Sequence, residues 1–130
     1  MQKLIMVALM TFSATASAGY HYAPEVYAST SRVRHTWYSS AWGTLAGAAA
    51  SSDENQYIGC TTSSYTYDGV STNYGYCVAV DADWNVASCY TEDPAQMAAI
   101  AAINASSYVL FSATDGVCSY VSTNNTSWTL

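Results

Sequence analysis

The chain is poor in charge and poorest in positive charge. Lysine and arginine number three in 130 residues (Lys3, Arg32 and Arg34), against nine aspartates and glutamates, for a net charge of −6. A surface so short of cations cannot hold nucleic acid or an anionic membrane, because both are retained through their negative charge. Beyond Phe12 there is no long apolar run, so no integral membrane span is expected; a spanning helix takes about 20 apolar residues. No Cys-x-x-Cys spacing occurs, which argues against a zinc knuckle or a redox-active pair. No G-x-S-x-G elbow singles out a nucleophile, and His21 and His35 stand outside any metal-ligand or nucleophile–base pattern. These absences point to a non-enzymatic protein without catalytic residues or a cofactor.

What is present begins with a leader. Met1 to Lys3 form a short basic start, Leu4 to Phe12 a nearly unbroken apolar run, and Ala16-Ser17-Ala18 a small-x-small cleavage site. Residues 1–18 read as a secretory signal peptide, with the mature chain starting at Gly19. The apolar run is too short for a transmembrane anchor, and no basic stop-transfer cluster follows it. The product is expected to be secreted or held at the cell surface, with the periplasm as the other destination. All four cysteines (Cys60, Cys77, Cys89 and Cys118) follow the leader. An even count in a small exported domain predicts two disulfides.

The mature chain divides by character. Residues 19–55 hold both histidines, both arginines, and the aromatics Tyr20, Tyr22, Tyr27, Trp37, Tyr38 and Trp42, with no cysteine and no clean period. They read as an aromatic, small-residue-rich arm or linker, with Gly43 to Ser52 either a short helix or pliant chain. Residues 56–130 read as a disulfide-stabilised α+β domain. Tyr57 to Ser63, Tyr74 to Val80 and Val86 to Thr91 have strand chemistry. Pairing Val80 with Val86 sets Cys77 opposite Cys89 and collects Gly75, Cys77, Ala79, Ala87 and Cys89 on one small-residue face. Of the three disulfide connectivities this register favours Cys77–Cys89 with Cys60–Cys118. Asp93-Pro94-Ala95-Gln96 has the form of a helix start, with an Asp cap, Pro in the first turn and Gln in the capping-box position. That helix should run to about Asn104 and lie on the small-residue face. Tyr108 to Thr114 and Val117 to Ser122, joined by Asp115-Gly116, read as a hairpin with a type I′ turn, Phe111 facing Tyr120 and Ala113 facing Cys118. The expected architecture is a β-β-β-α-β-β antiparallel sheet with one helix on one face.

Asp81, Asp83, Asn85 and Glu92 match positions 1, 3, 5 and 12 of a calcium loop, but Val86 stands where the loop needs glycine. An Asp/Asn-rich turn accounts for the same residues, and no metal is expected. The pairs Asp53-Glu54 and Glu92-Asp93 read as a linker charge and a helix cap. Twelve tyrosines and four tryptophans are the chain's main peculiarity. Tyr57, Tyr76, Tyr90, Tyr108 and Tyr120 suit strand packing. The hydroxyl- and tyrosine-rich loop Thr61 to Asn73, with Tyr65 and Tyr67, and the arm aromatics Trp37, Tyr38 and Trp42 form the candidate contact surface.

The frame GC…YCVAVDADWNVASC…DPAQMAAIAAI…SYVLF…DGVCSYV resembles short exported four-cysteine bacterial proteins of unassigned function, over residues 58–121. That resemblance implies no activity and transfers no functional residues. The expected function is therefore a non-catalytic binding or structural role at the cell surface or in the medium. The partner would be an unknown protein or carbohydrate, or further copies of the chain. A secreted inhibitor or effector presenting the 61–73 loop is the alternative, and a small secreted hydrolase the third reading.

Overall fold

A computed structural model describes residues 25–126. The leader, its cleavage point, His21 and the aromatics Tyr20 and Tyr22 lie outside the described residues. The elements are β1 (Tyr27–Val33), β2 (Thr36–Thr44), α1 (Leu45–Ala50), β3 (Tyr57–Tyr67), β4 (Val70–Val80), β5 (Val86–Thr91), α2 (Pro94–Ala101), β6 (Tyr108–Thr114) and β7 (Val117–Asn124). All seven strands belong to one sheet, in the order β1-β2-β6-β7-β5-β4-β3. Neighbours are antiparallel except β5 and β7, which run parallel and meet at the single pair Tyr90↔Val117. At this narrow seam Tyr90 N donates to Gly116 O at 2.8 Å. The sheet bends there, so that β1 and β2 pack across onto β5 and β4. One cross-link between the halves is explicit, Thr30 Oγ1 donating to Val86 O at 2.7 Å.

The domain is thus mostly sheet, and the β-β-β-α-β-β order needs two further strands and a further helix. They come from residues 27–50, part of the stretch read as an arm. Alternation there is real but hidden: Ala28 and Ala41 are buried between aromatic and polar neighbours that are exposed or half-buried. Small residues on the inner side leave no hydrophobic signal to detect. α1 follows β2 directly, capped by Thr44, whose hydroxyl accepts from Gly47 N at 2.8 Å. Asp53 anchors the return to β3 through bonds from Asn55 N, Gln56 N and Gln56 Nε2. Gln56 in turn accepts from Val26 N at 2.8 Å, tying the entry of β1 to that of β3.

The core lies between the two halves of the sheet. Among the described residues its only ring is Phe111, surrounded by Val109, Ile58 and Ile100, five alanines and three of the four half-cystines. The small face Gly75, Cys77, Ala79, Ala87, Cys89 forms as expected. Its cover differs from expectation, because β1 and β2 occupy most of it and α2 packs on β7, β3 and the Gly75 end of β4. A Cβ at Gly75 would lie 2.8 Å from Ile100 Cδ1 and 3.1 Å from Thr91 Cγ2, so glycine is what admits the helix.

Both disulfides differ from the expected connectivity: they are Cys60–Cys77 and Cys89–Cys118. Cys77 does face Cys89 across β4 and β5, as the hairpin register required. The phase of the ladder decides against bonding there. Cys60 and Cys77 are 4.0 Å apart at Cα, the close spacing of a non-hydrogen-bonded pair. The N–H and C=O of Cys77 then point to β5, which makes Cys77↔Cys89 a hydrogen-bonded pair with the wider spacing of about 5.5 Å.

Three local features also depart from expectation. Asp115 and Gly116 adopt the positive φ values, 49° and 80°, of a type I′ turn, and Ala113 faces Cys118 as predicted. A bulge at Ser119 then shifts the register, so Phe111 faces Val121, while Tyr120 pairs with Ser112 and is 53% exposed. The helix stops at Ala101, capped by Ala102. The Asp93 carboxylate accepts from Ala95 N and Gln96 N as a cap should, but Gln96 does not close a capping box. Instead the buried Thr91 hydroxyl accepts from Asp93 N and donates to Gln96 Oε1, leaving Gln96 Nε2 to reach Cys118 O on β7. Gln96 therefore braces the seam where β5 and β7 share one pair.

Two expected outcomes follow. Deleting residues 19–52 removes β1, β2 and α1 and uncovers Val109, Phe111 and Ala87; differential scanning calorimetry should then show no cooperative transition. A sharp transition would mean that β3 to β7 hold a core of their own. Asp93→Ala should cost about 1 kcal/mol, a melting-temperature drop of about 4 °C, because a carboxylate cap on two helix N–H groups is lost.

Candidate contact surface

The loop expected over Thr61 to Asn73 is a two-stranded hairpin, the outer ends of β3 and β4, closed by Asp68-Gly69 with φ values of 49° and 77°. Every residue from Thr61 to Ser71 is exposed, and Cys60–Cys77 braces the base. The register has no irregularity from Tyr57↔Val80 to Tyr67↔Val70, so the alternation of the core continues out into solvent. Tyr65, Tyr67, Val70, Thr72, Tyr74 and Tyr76 consequently share the outer face of the sheet. Thr62, Ser64, Thr66, Ser71 and Asn73 share the inner face.

On the outer face tyrosines touch across three strands. Tyr65 on β3 meets Tyr74 on β4 edge to face, with ring centres 6.2 Å apart, and Tyr74 stacks on Tyr90 of β5 at 5.8 Å. Tyr76 is paired with Tyr90 in the ladder, and both remain about two-fifths exposed, at 42% and 40%. Tyr90 Oη donates to Glu92 Oε1, which fixes the outer end of the row. That hydrogen bond, followed by desolvation and the nearby Glu92 charge, pushes the Tyr90 phenol up to about 12. On the inner face an open groove runs between the hairpin and α2. One part, of about 310 Å³, is lined by Thr62, Ser64, Asn73, Met97 and Ala101, and an adjoining part of about 430 Å³ by Ser71, Asn73, Glu92, Pro94 and Met97. The hairpin therefore presents phenol rings on one side and hydroxyls over a methionine floor on the other.

The five aromatics proposed from the sequence are not brought together. Tyr65 and Tyr67 lie on the projecting hairpin, at 55% and 78% exposure. Trp42 lies on β2, where it stacks on Tyr27 at 3.9 Å, with Tyr38 further along the same face. Trp37 points to the opposite face, past the end of the core, with the Arg32 guanidinium 5.6 Å from its ring centre. Its backbone is pinned to the β6–β7 turn: Trp37 N donates to Asp115 Oδ1 at 2.9 Å, and Asp115 N to Trp37 O at 2.8 Å. The sequence reading left out Tyr74, Tyr76 and Tyr90. Of the tyrosines assigned to strand packing, Tyr57, Tyr76, Tyr90 and Tyr120 are exposed and Tyr108 is partly buried. A signal was available: a face made of glycine, cysteine and alanine leaves the alternating tyrosines no side but the outer one.

Of the calcium-like pattern, Asp81, Asp83 and Asn85 share the β4–β5 turn and Glu92 stands apart. Asp81 Oδ1 accepts from Asp83 N and Asn85 N, and its Oδ2 accepts from Asn85 Nδ2, each at 2.9 Å. Burial pushes the Asp81 carboxyl up, but the Asn85 side chain and the two backbone donors outweigh it and hold the group below the usual carboxylate range. Glu92 lies at the far end of β5, a strand's length of about 20 Å from Asp81 at 3.3 Å per residue. Among the described residues no three His, Cys, Asp or Glu side chains converge. His35 is exposed in the β1–β2 turn. Among the described residues no helix is long and apolar enough to cross a membrane.

No family model matches the chain, and neither the curated proteins nor the solved structures contain a match to it.

Because the folded phenol of Tyr90 titrates near 12 rather than 10, its contribution to stability is complete below pH 10 and is lost as the pH rises from 10 to 12. Glu92→Gln removes the carboxylate that raises it. Ultraviolet phenolate titration of that variant should show one tyrosine ionising closer to pH 10 than in the wild type. Superimposable curves would mean that the Tyr90–Glu92 bond does not form in solution.

Proposed function

We propose that the chain is an exported, non-catalytic binding protein whose ligand is a surface or extracellular polysaccharide, gripped by the Tyr65–Tyr74–Tyr90 row. The leader reading supports export, and two disulfides with no membrane-spanning helix among the described residues are compatible with it. The observation that carries the binding reading is the tyrosine row itself, three phenol rings in successive contact across β3, β4 and β5 on the solvent side of a sheet. Rings fixed by strand geometry and by their neighbours lose little freedom when a flat partner docks. Phenols add hydrogen bonds at the margin of an apolar contact, a combination that suits sugar rings. Thr61, Ser63 and Thr72, on the same outer face, extend the polar contact. The projecting, disulfide-braced hairpin favours a second reading, in which its Asp68-Gly69 tip is presented to another protein by a secreted inhibitor or effector.

Retention of the mature protein on cellulose, chitin and peptidoglycan tests the proposal. The wild type should be retained on at least one of them, and Tyr65→Ser with Tyr90→Ser should weaken that binding about tenfold or more. Two lost ring contacts at about 0.5–1.5 kcal/mol each span that factor. Unaltered retention in the double variant would overturn the assignment of the tyrosine row. Failure of the wild type on all three materials, with capture of a protein that depends on the hairpin tip, would favour the second reading.

A further inference from the structure

The sheet has two rims, β1 and β3, and they are differently protected. β1 carries Arg32, and its Thr30 is bonded to β5, so this rim is turned in over the other half of the sheet. β3 is not turned in. Its 11 residues include no charged side chain and no proline, and from Thr61 outward all are exposed. The phase of the ladder follows from two independent features. A two-residue turn makes Tyr67↔Val70 a hydrogen-bonded pair, and the 4.0 Å Cα separation of Cys60 and Cys77 makes theirs a non-hydrogen-bonded one. Both place the N–H and C=O groups of Thr62, Ser64 and Thr66 on the rim, pointing away from β4. Among the described residues nothing bonds to them.

We propose that this rim is a homodimer interface, in which two copies pair their β3 strands antiparallel about a two-fold axis at Ser64. In that register Ser64 meets its own equivalent and Thr62 meets Thr66 of the partner subunit, giving about six N–H···O bonds between strands. The occupant is a second copy because the register is complementary to itself. Hydroxyl meets hydroxyl on the inner face, and Tyr65 and Tyr67 lie opposite Ser63 and Thr61 on the outer face. No charge is set against its like; the nearest, Asp68, falls level with a cysteine. Exposed edge strands are ordinarily guarded by a lysine, a proline, a bulge or a covering element, and the outer half of β3 has none of these. Pairing also brings Tyr65 of each copy diagonally beside its equivalent, so two tyrosine rows run on as one. The inference stands apart from the choice of ligand.

Sedimentation velocity on the oxidised mature protein, from about 1 μM to about 100 μM, should show the mass rising from monomer to dimer. Ser64→Pro removes only a rim N–H and leaves every β3–β4 bond in place. It should remain monomeric throughout, with the wild-type melting temperature and both disulfides. Ser64→Lys and Ser64→Glu should each be monomeric alone, since the axis opposes like charges, and an equal mixture should regain the dimer mass. A wild type that stays monomeric at the top of the range, a Ser64→Pro dimer as stable as the wild type's, or a charge-paired mixture that fails to associate would each overturn the proposal. Ser64→Pro retains Tyr65, Tyr74 and Tyr90, so its retention on polysaccharide reports on ligand binding separately from association.

Discussion

The two halves of this sheet close on each other because the side chains between them are small. Ala28 and Ala41 come from one half, and Ala79, Ala87 and Cys77 from the other, all at most 3% exposed. Gly43 makes the same allowance at the edge, where a Cβ would sit 3.1 Å from the Cα of Val26. Close approach has a thermodynamic consequence. Hydrophobic stabilisation scales with apolar area removed from water, and alanine contributes little of it. With Phe111 as the only large ring inside among the described residues, the fold needs a further source of stability. The disulfides supply it by restricting the unfolded chain, Cys60–Cys77 within one hairpin and Cys89–Cys118 across the thin β5–β7 seam. The thin core and the cross-links are one solution.

The small-residue interior also explains which parts of the fold could be read in advance. Strands β4 and β5, the α2 cap and the Asp115-Gly116 turn carry local signals that no tertiary context reverses. β1 and β2 carry alternation of a kind that hydropathy misses, since their buried positions are Ala28, Ala41, Gly43 and Thr44 while Tyr27, Trp37 and Tyr38 are among their exposed ones. The large inward-facing residues that usually mark a strand are missing there. A strand without them looks like an arm.

The disulfide pattern was legible, by a route that runs through Asp68-Gly69. That dipeptide is the same type I′ signal as Asp115-Gly116, and it sits within what composition alone suggests is a loop. Counting back along the two strands from Tyr67↔Val70 lands Cys60 opposite Cys77. The turn also fixes the phase of the ladder, placing that pair at a narrow position and Cys77↔Cys89 at a wide one. Register alone cannot choose between two cysteines that both face Cys77; phase can. The bulge at Ser119 was not legible in the same way, because nothing in Val117 to Ser122 marks the extra residue. Tyr120 is outside rather than inside on that account.

The candidate surface is a further outcome of the same constraint. Tyrosines displaced from an interior too narrow for rings must stand on the outer face, and on β3 to β5 they stand close enough to touch. The chain's acidity does little to shield that face or the adjoining rim. Net charge repels over distances that salt screens beyond about 8 Å at physiological ionic strength. Protection of an edge strand is a local matter of what lies on the strand itself. Along β3 the side chains are hydroxyls, rings, one isoleucine, one glycine and one half-cystine. The same neutrality that lets the tyrosine row meet an uncharged ligand therefore leaves the backbone beside it open to pairing; a charge on the outer face of β3 would disturb both, whereas one on the inner face, at Ser64, would act on pairing alone.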